Sequence, residues 1–116
     1  MTPSISGGWW LLLAAGVCEV FWAAAIARTE GFTRVWPSVY CGVFIALSLY
    51  LLSLSMRTLP VGTAYAVWVG VGAVGTALYG IVFLGETASP PRLVCLMLIV
   101  AGVAGLKLFS DVPAQA

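Results

Sequence analysis

Glu19 stands where an ionisable side chain is hardest to keep. It lies near the middle of an apolar run, 9–27, that ends at Arg28. An acidic residue at the centre of a membrane-spanning helix costs about 2.5–3.5 kcal/mol even on lenient insertion scales. A residue retained against that cost marks an ion or substrate pathway, or it serves, protonated, as a hydrogen-bond donor between helices. At helical spacing its face carries Ala15, Gly16, Trp22, Ala23 and Ile26, mostly small side chains that leave room beside the carboxyl group. Trp22 offers an indole N–H to fix the carboxylate rotamer and a flat ring to wall a planar ligand; ordinary packing explains it equally well. No basic residue lies within that run, and Arg28 is more than two turns away. The partner left for the carboxylate is a proton, a cationic substrate, or both in turn.

A second constellation falls in the third apolar run. Tyr65 and Trp68 lie one turn apart on a face extended by Gly62, Val69, Gly72 and Thr76. The Gly70-Val71-Gly72 segment predicts a local weakening of the helix, hence a kink or hinge. The competing role of these glycines is close helix approach. Ser48 is the polar residue nearest the middle of the second run, able to complete a hydrogen-bond ring or to bond back to its own helix. In the fourth run, Ala101, Gly102 and Gly105 form a small-residue stripe that predicts a dimer face, with packing inside one chain as the alternative. Cys18, Cys41 and Cys95 lack metal-ligand spacing and the chain has no His, so no metal site is expected and buried, apolar thiols are. With no nucleophile–base pair in the apolar runs, an enzyme is not expected, nor is any cofactor.

The elements that must position these residues are membrane helices. Hydrophobic residues make up 62% of the 116-residue chain and charged ones 8%. Soluble domains average about 25% charged residues, so lipid is the solvent for most of this surface. A spanning helix needs about 20 mainly apolar residues. Four runs meet or approach that length, at about 9–27, 36–55, 61–84 and 93–109, which predicts an all-α membrane protein with residues 1–116 in one four-helix domain. Eight of the nine charged residues lie in the linkers or at helix ends. Trp9, Trp10 and Trp36 sit at predicted helix ends, where indole favours the membrane–water boundary. The first run has no basic segment before it and contains Glu19, so it is expected to be a retained helix rather than a signal peptide. A net charge of +1 with no basic run gives nucleic acid nothing to bind.

Four crossings put both termini on one side. Arg57 and Lys107 then share the side of the termini, opposed by Arg28, Arg34 and Arg92. Positive charge on the cytoplasmic side sets orientation, and two against three is a weak bias. Charge counting therefore leaves two outcomes open: a single orientation, or insertion both ways that permits an antiparallel dimer of identical subunits.

Taken together, these segments resemble the small multidrug resistance family of proton-coupled exporters, and within it the guanidinium-exporting branch. The resemblance runs from about Gly8 to Lys107. It rests on Ala14-Ala15-Gly16-Val17-Cys18-Glu19-Val20-Phe21-Trp22-Ala23, Gly31-Phe32-Thr33-Arg34, Pro37-Ser38, Pro60-Val61-Gly62-Thr63-Ala64-Tyr65-Ala66-Val67-Trp68 and Gly70-Val71-Gly72-Ala73-Val74-Gly75, with the fourth-helix stripe. Arg28 departs from the Lys common in the family and keeps the charge.

The resemblance implies an antiparallel, dual-topology homodimer in the inner (plasma) membrane, in which two Glu19 carboxylates bind protons and substrate alternately. It implies that Trp22, Ser48, Tyr65 and Trp68 organise that site, and that Gly70-Val71-Gly72 is the kink of helix three. The substrate it implies is guanidinium or a small guanidinyl compound. That ligand suits paired carboxylates, being planar, permanently protonated and rich in N–H donors. A broad exporter of quaternary ammonium or aromatic cations is the nearest alternative, and such ligands call for a wider aromatic cage. A passive channel and a non-transporting assembly subunit are the further ones.

Overall fold

The computed structural model describes residues 5–109, and these form four long helices. Helix α1 spans Ile5–Ala25 and continues into a 3₁₀ turn, Ile26–Thr29; α2 spans Val35–Ser55, α3 Val61–Phe83 and α4 Pro90–Leu108. Helices of about 20 residues rise roughly 30 Å, the thickness of a bilayer's hydrocarbon core. All four are long and apolar enough to cross it. Exposed Trp10, Trp36, Phe21, Phe83, Met97 and Leu98 agree with a surface solvated by lipid.

Two helix starts differ from the sequence expectation. The first begins at Ile5 rather than near Trp9, and the fourth at Pro90 rather than Leu93. Pro90 and Pro91 occupy the first two positions of α4, where the missing N–H has no intrahelical partner to lose and the fixed φ suits the helix. Pro37, in the first turn of α2, is tolerated for the same reason.

The helices lie side by side in the order α2, α1, α3, α4, forming a slab 17 Å thick. The core sits among the first three helices and their linkers: Leu12 and Ala15 from α1, Leu52 from α2, Leu59 from the following linker, and Ala64, Val67 and Trp68 from α3. Helix α4 buries none of its side chains, and its backbone approaches α3 alone. Close approach is bought by glycine. An added Cβ at Gly16 would meet Val71 Cγ1 at 2.6 Å, and one at Gly70 would strike Val103 of α4. The thiols differ from expectation: Cys41 is buried, but Cys18 is partly exposed and Cys95 exposed, on a helix that packs against α3 alone.

The α1–α2 linker is built around one side chain. Thr29 is 1% exposed; its hydroxyl donates to Ile26 O at 2.7 Å and accepts from Phe32 N–H at 3.1 Å. Its carbonyl accepts from the N–H groups of Thr33 and Arg34 at 2.9 and 3.1 Å. These bonds hold Glu30, Gly31 and Phe32 in consecutive left-handed conformations, with φ of 50°, 75° and 65°, unfavourable for the two non-glycine residues. Thr29→Val keeps the shape and removes both side-chain bonds. It is expected to lower stability by about 1–3 kcal/mol, read from the midpoint of denaturation by SDS in dodecyl maltoside micelles, while Thr33→Val, at an exposed position, changes it little.

Candidate functional site

Glu19 projects from α1 onto Gly72 of α3. A Cβ built on Gly72 would fall on the Glu19 carboxyl group and come within 2.8 Å of its Cγ. The missing side chain at Gly72 is therefore the seat of the carboxylate. Glu19 Oε1 is buried and has no hydrogen-bond partner among the described residues. The side chain lines a cleft of about 540 Å³ between α1 and α3, together with Ala23, Thr76 and, further out, Glu86 and Arg92. Thr76 Oγ1 is likewise buried without a partner among the described residues. A carboxylate oxygen and a hydroxyl, both buried and unpartnered among the described residues, belong to residues lining one cleft, and each can accept from a group that brings N–H or O–H donors.

A second polar centre lies one turn back along α1. Ser48, fully buried on α2, donates to Ala15 O at 2.7 Å and accepts from Trp68 Nε1 at 2.9 Å. One hydroxyl thus ties α1, α2 and α3 together at the turn that precedes Glu19. Its only hydrogen goes to Ala15, so within this protomer it does not donate to the carboxylate. Trp68 also packs on Tyr65, the ring centroids 5.5 Å apart at 51°. Tyr65 is 55% exposed. Trp22 packs against the core, its Nε1 buried and without a partner among the described residues. It does not bond Glu19 here.

The five residues singled out in the sequence therefore form two groups: a framework in which Trp68 donates to Ser48 and Tyr65 packs on Trp68, and the unpartnered carboxyl group of Glu19 with Trp22 one turn further on. The Gly70-Val71-Gly72 segment is continuous helix, Gly70 receiving Val103 of α4 and Gly72 receiving Glu19. Ala101, Gly102 and Gly105 lie on the uncovered part of α4, and a Cβ at either glycine would meet open space. Sequence reading missed Gly72 as a seat, Thr76 as a free acceptor, and the Glu86–Arg92 pair. The signal was present in the spacing of Gly72, Thr76 and Gly80, which repeat at four-residue intervals on one face of α3.

Comparison with known proteins agrees with this architecture. A family profile described as Small Multidrug Resistance protein matches residues 7–99. A protein of Citrobacter freundii named guanidinium exporter is 58% identical over 100 residues, covering 86% of this chain and 95% of that protein. A Salmonella typhimurium strain LT2 protein of the same name is 56% identical over the same shares. One from Yersinia pseudotuberculosis serotype I is 53% identical over 102 residues, covering 88% and 98%.

The seat at Gly72 is directly testable. Gly72→Ala places a methyl on the carboxyl group, whose flexible side chain can swing away, so the fold should survive and the site should not. The infrared carboxyl band of Glu19, identified by its loss in Glu19→Gln, is expected to shift in detergent-solubilised Gly72→Ala. Gly42→Ala, where a Cβ meets open space, is expected to leave that band in place.

Proposed function

This chain belongs to the small multidrug resistance family, and from that premise we propose that it exports guanidinium and small guanidinyl compounds in exchange for protons. It is a multi-pass protein of the plasma (inner) membrane. The observation that carries the proposal is the Glu19 carboxyl group, seated on Gly72 in a helix long and apolar enough to cross a membrane, with Oε1 buried and unpartnered among the described residues. A carboxylate away from bulk water needs a counter-charge. A proton and an organic cation each supply one, and only one of them at a time.

The transporting unit in this reading is an antiparallel homodimer. Three features support it: the near-even split of positive charge, two against three, between the two sides, the uncovered α4 with open space at Gly102 and Gly105, and an incompletely partnered site within one protomer. Two Glu19 side chains then face one substrate. Guanidinium offers planar pairs of N–H donors that match carboxylates two at a time. Trp22 walls the slot, while Ser48, Trp68 and Tyr65 hold the helices that frame it. Gly70, Val71 and Gly72 act as the hinge through which α3 changes its facing. Protons arriving from outside displace the cation, and re-exposure to the cytoplasm removes them. The dimer changes its facing only when the carboxylates are occupied, and this keeps the two fluxes coupled.

In proteoliposomes with an imposed pH gradient, labelled guanidinium is expected to accumulate against its concentration on the acidic side. Glu19→Gln is expected to reduce that flux to the level of protein-free vesicles; undiminished flux in the variant overturns the mechanism. A bulky quaternary ammonium is expected to compete poorly, and equal competition would favour the broader drug-exporting activity. In a variant lacking the three native thiols, a single cysteine at Gly31 is expected to react with impermeant maleimide from both sides of the membrane. Labelling from one side alone would exclude dual topology.

A further inference from the structure

The cleft that holds Glu19 has a second carboxylate at its outer end. Glu86 lies in the α3–α4 linker, outside both helices. Its N–H donates to Gly80 O at 3.0 Å, and Gly85 takes φ of 70°, folding the linker back onto the end of α3. The carboxylate rests on Gly80 as that of Glu19 rests on Gly72: a Cβ on Gly80 would meet Glu86 Cδ at 2.6 Å and Oε2 at 2.9 Å. The two seats are eight residues apart on one helix face, about 12 Å at the α-helical rise. Thr76 stands midway, with its hydroxyl oxygen unpartnered among the described residues.

Glu86 already holds a guanidinium. Arg92 Nη2 donates to Glu86 Oε1 at 2.7 Å, and Nη1 donates to Thr87 O at 3.2 Å. Arg92 thus meets the carboxylate through one nitrogen and one oxygen, not through the two parallel bonds a free guanidinium can make. Both side chains are partly exposed, 34% for Arg92 and 45% for Glu86. An ion pair so exposed is weak and exchanges readily.

We propose that Glu86 is a staging site at the mouth of the Glu19 cleft, where a travelling guanidinium replaces Arg92 on the carboxylate before moving past Thr76 to Glu19. The proposal rests on the guanidinium-exporting reading and adds a specificity-determining position to it. Arg92 is the built-in competitor: it keeps Glu86 occupied when no substrate is present and is displaced only by a cation with matching N–H geometry.

A brace and a staging site differ in the sign of their mutational effects. Initial rates of guanidinium uptake are measured in proteoliposomes across substrate concentration, at one fixed pH gradient. Glu86→Gln is expected to raise KM about three- to fivefold, the scale of an exposed ion pair, with little change in maximal rate or in equilibrium binding at Glu19. Arg92→Gln, which frees Glu86, is expected to lower KM. Thr76→Val is expected to reduce the maximal rate. If Glu86→Gln and Arg92→Gln move KM the same way, or Glu86→Gln leaves it unchanged, the pair only braces the linker and the staging site is overturned. Wild-type vesicles that carry no guanidinium overturn the underlying reading and this proposal with it, an outcome visible before any variant is compared.

Discussion

A carboxylate inside a bilayer needs room and a counter-charge, and the packing of α1 on α3 meets the first need while leaving the second open. Room comes from Gly72, where any side chain would coincide with the Glu19 carboxyl group. Around it, Gly16 admits Val71 and Gly75 admits Val20, so the two helices approach closely over about one turn, the glycines removing the bulk that would hold them apart. In lipid there is little hydrophobic drive between helices, and close van der Waals packing is what remains to hold them. The same glycine contacts therefore serve cohesion and chemistry. Widening the seat would loosen the pair, and filling it would expel the acid.

The polar groups divide between a satisfied framework and an unsatisfied site. Ser48 uses its hydrogen on Ala15 O and a lone pair on Trp68 Nε1, and it is fully buried. A hydrogen-bonded knot of this kind, shielded from water, fixes the relation of three helices. One turn along α1, Glu19 Oε1, Trp22 Nε1 and Thr76 Oγ1 are buried with no partners among the described residues. Unpaired buried polar groups cost stability, and two of these, on Glu19 and Thr76, belong to residues lining one cleft, where the proposed mechanism brings their partners from outside the protomer. The framework holds the geometry so that the site can stay open.

Much of this was legible in the linear sequence. Spans of about 20 apolar residues, punctuated by charge, proline and glycine, located all four helices, and the placement of Glu19 in an apolar run identified the acid on energetic grounds. The helix starts were less legible, because Pro90-Pro91 signals a break although both residues fit the first turn of α4. Pairings across helices were invisible to it. Nothing in the chain order says that Ser48 is claimed by Ala15 and Trp68, or that Gly72 yields its space to Glu19 rather than serving flexibility alone. Periodicity reports which residues share a face, whereas the rotation of one helix against another decides which face meets which. The exposure of Cys95 came from the same gap, since an apolar thiol in a membrane helix is buried only if another helix covers it.

The number of carboxylates in the site also sets what can drive export. In the proposed cycle, a protomer acting alone would trade one proton for one monovalent cation. No net charge would cross, and the membrane potential would contribute nothing. Two carboxylates that bind either two protons or one guanidinium change the balance. Each pH unit then acts on two protons, at about 1.4 kcal/mol for each. One net positive charge also moves inward per cycle, adding about 2.3 kcal/mol per 100 mV of potential, negative inside. Each protomer supplies a single intramembrane acid, Glu19. In the proposed cycle a second copy therefore doubles the contribution of the pH gradient and adds that of the membrane potential, and the bare outer face of α4 offers it a place.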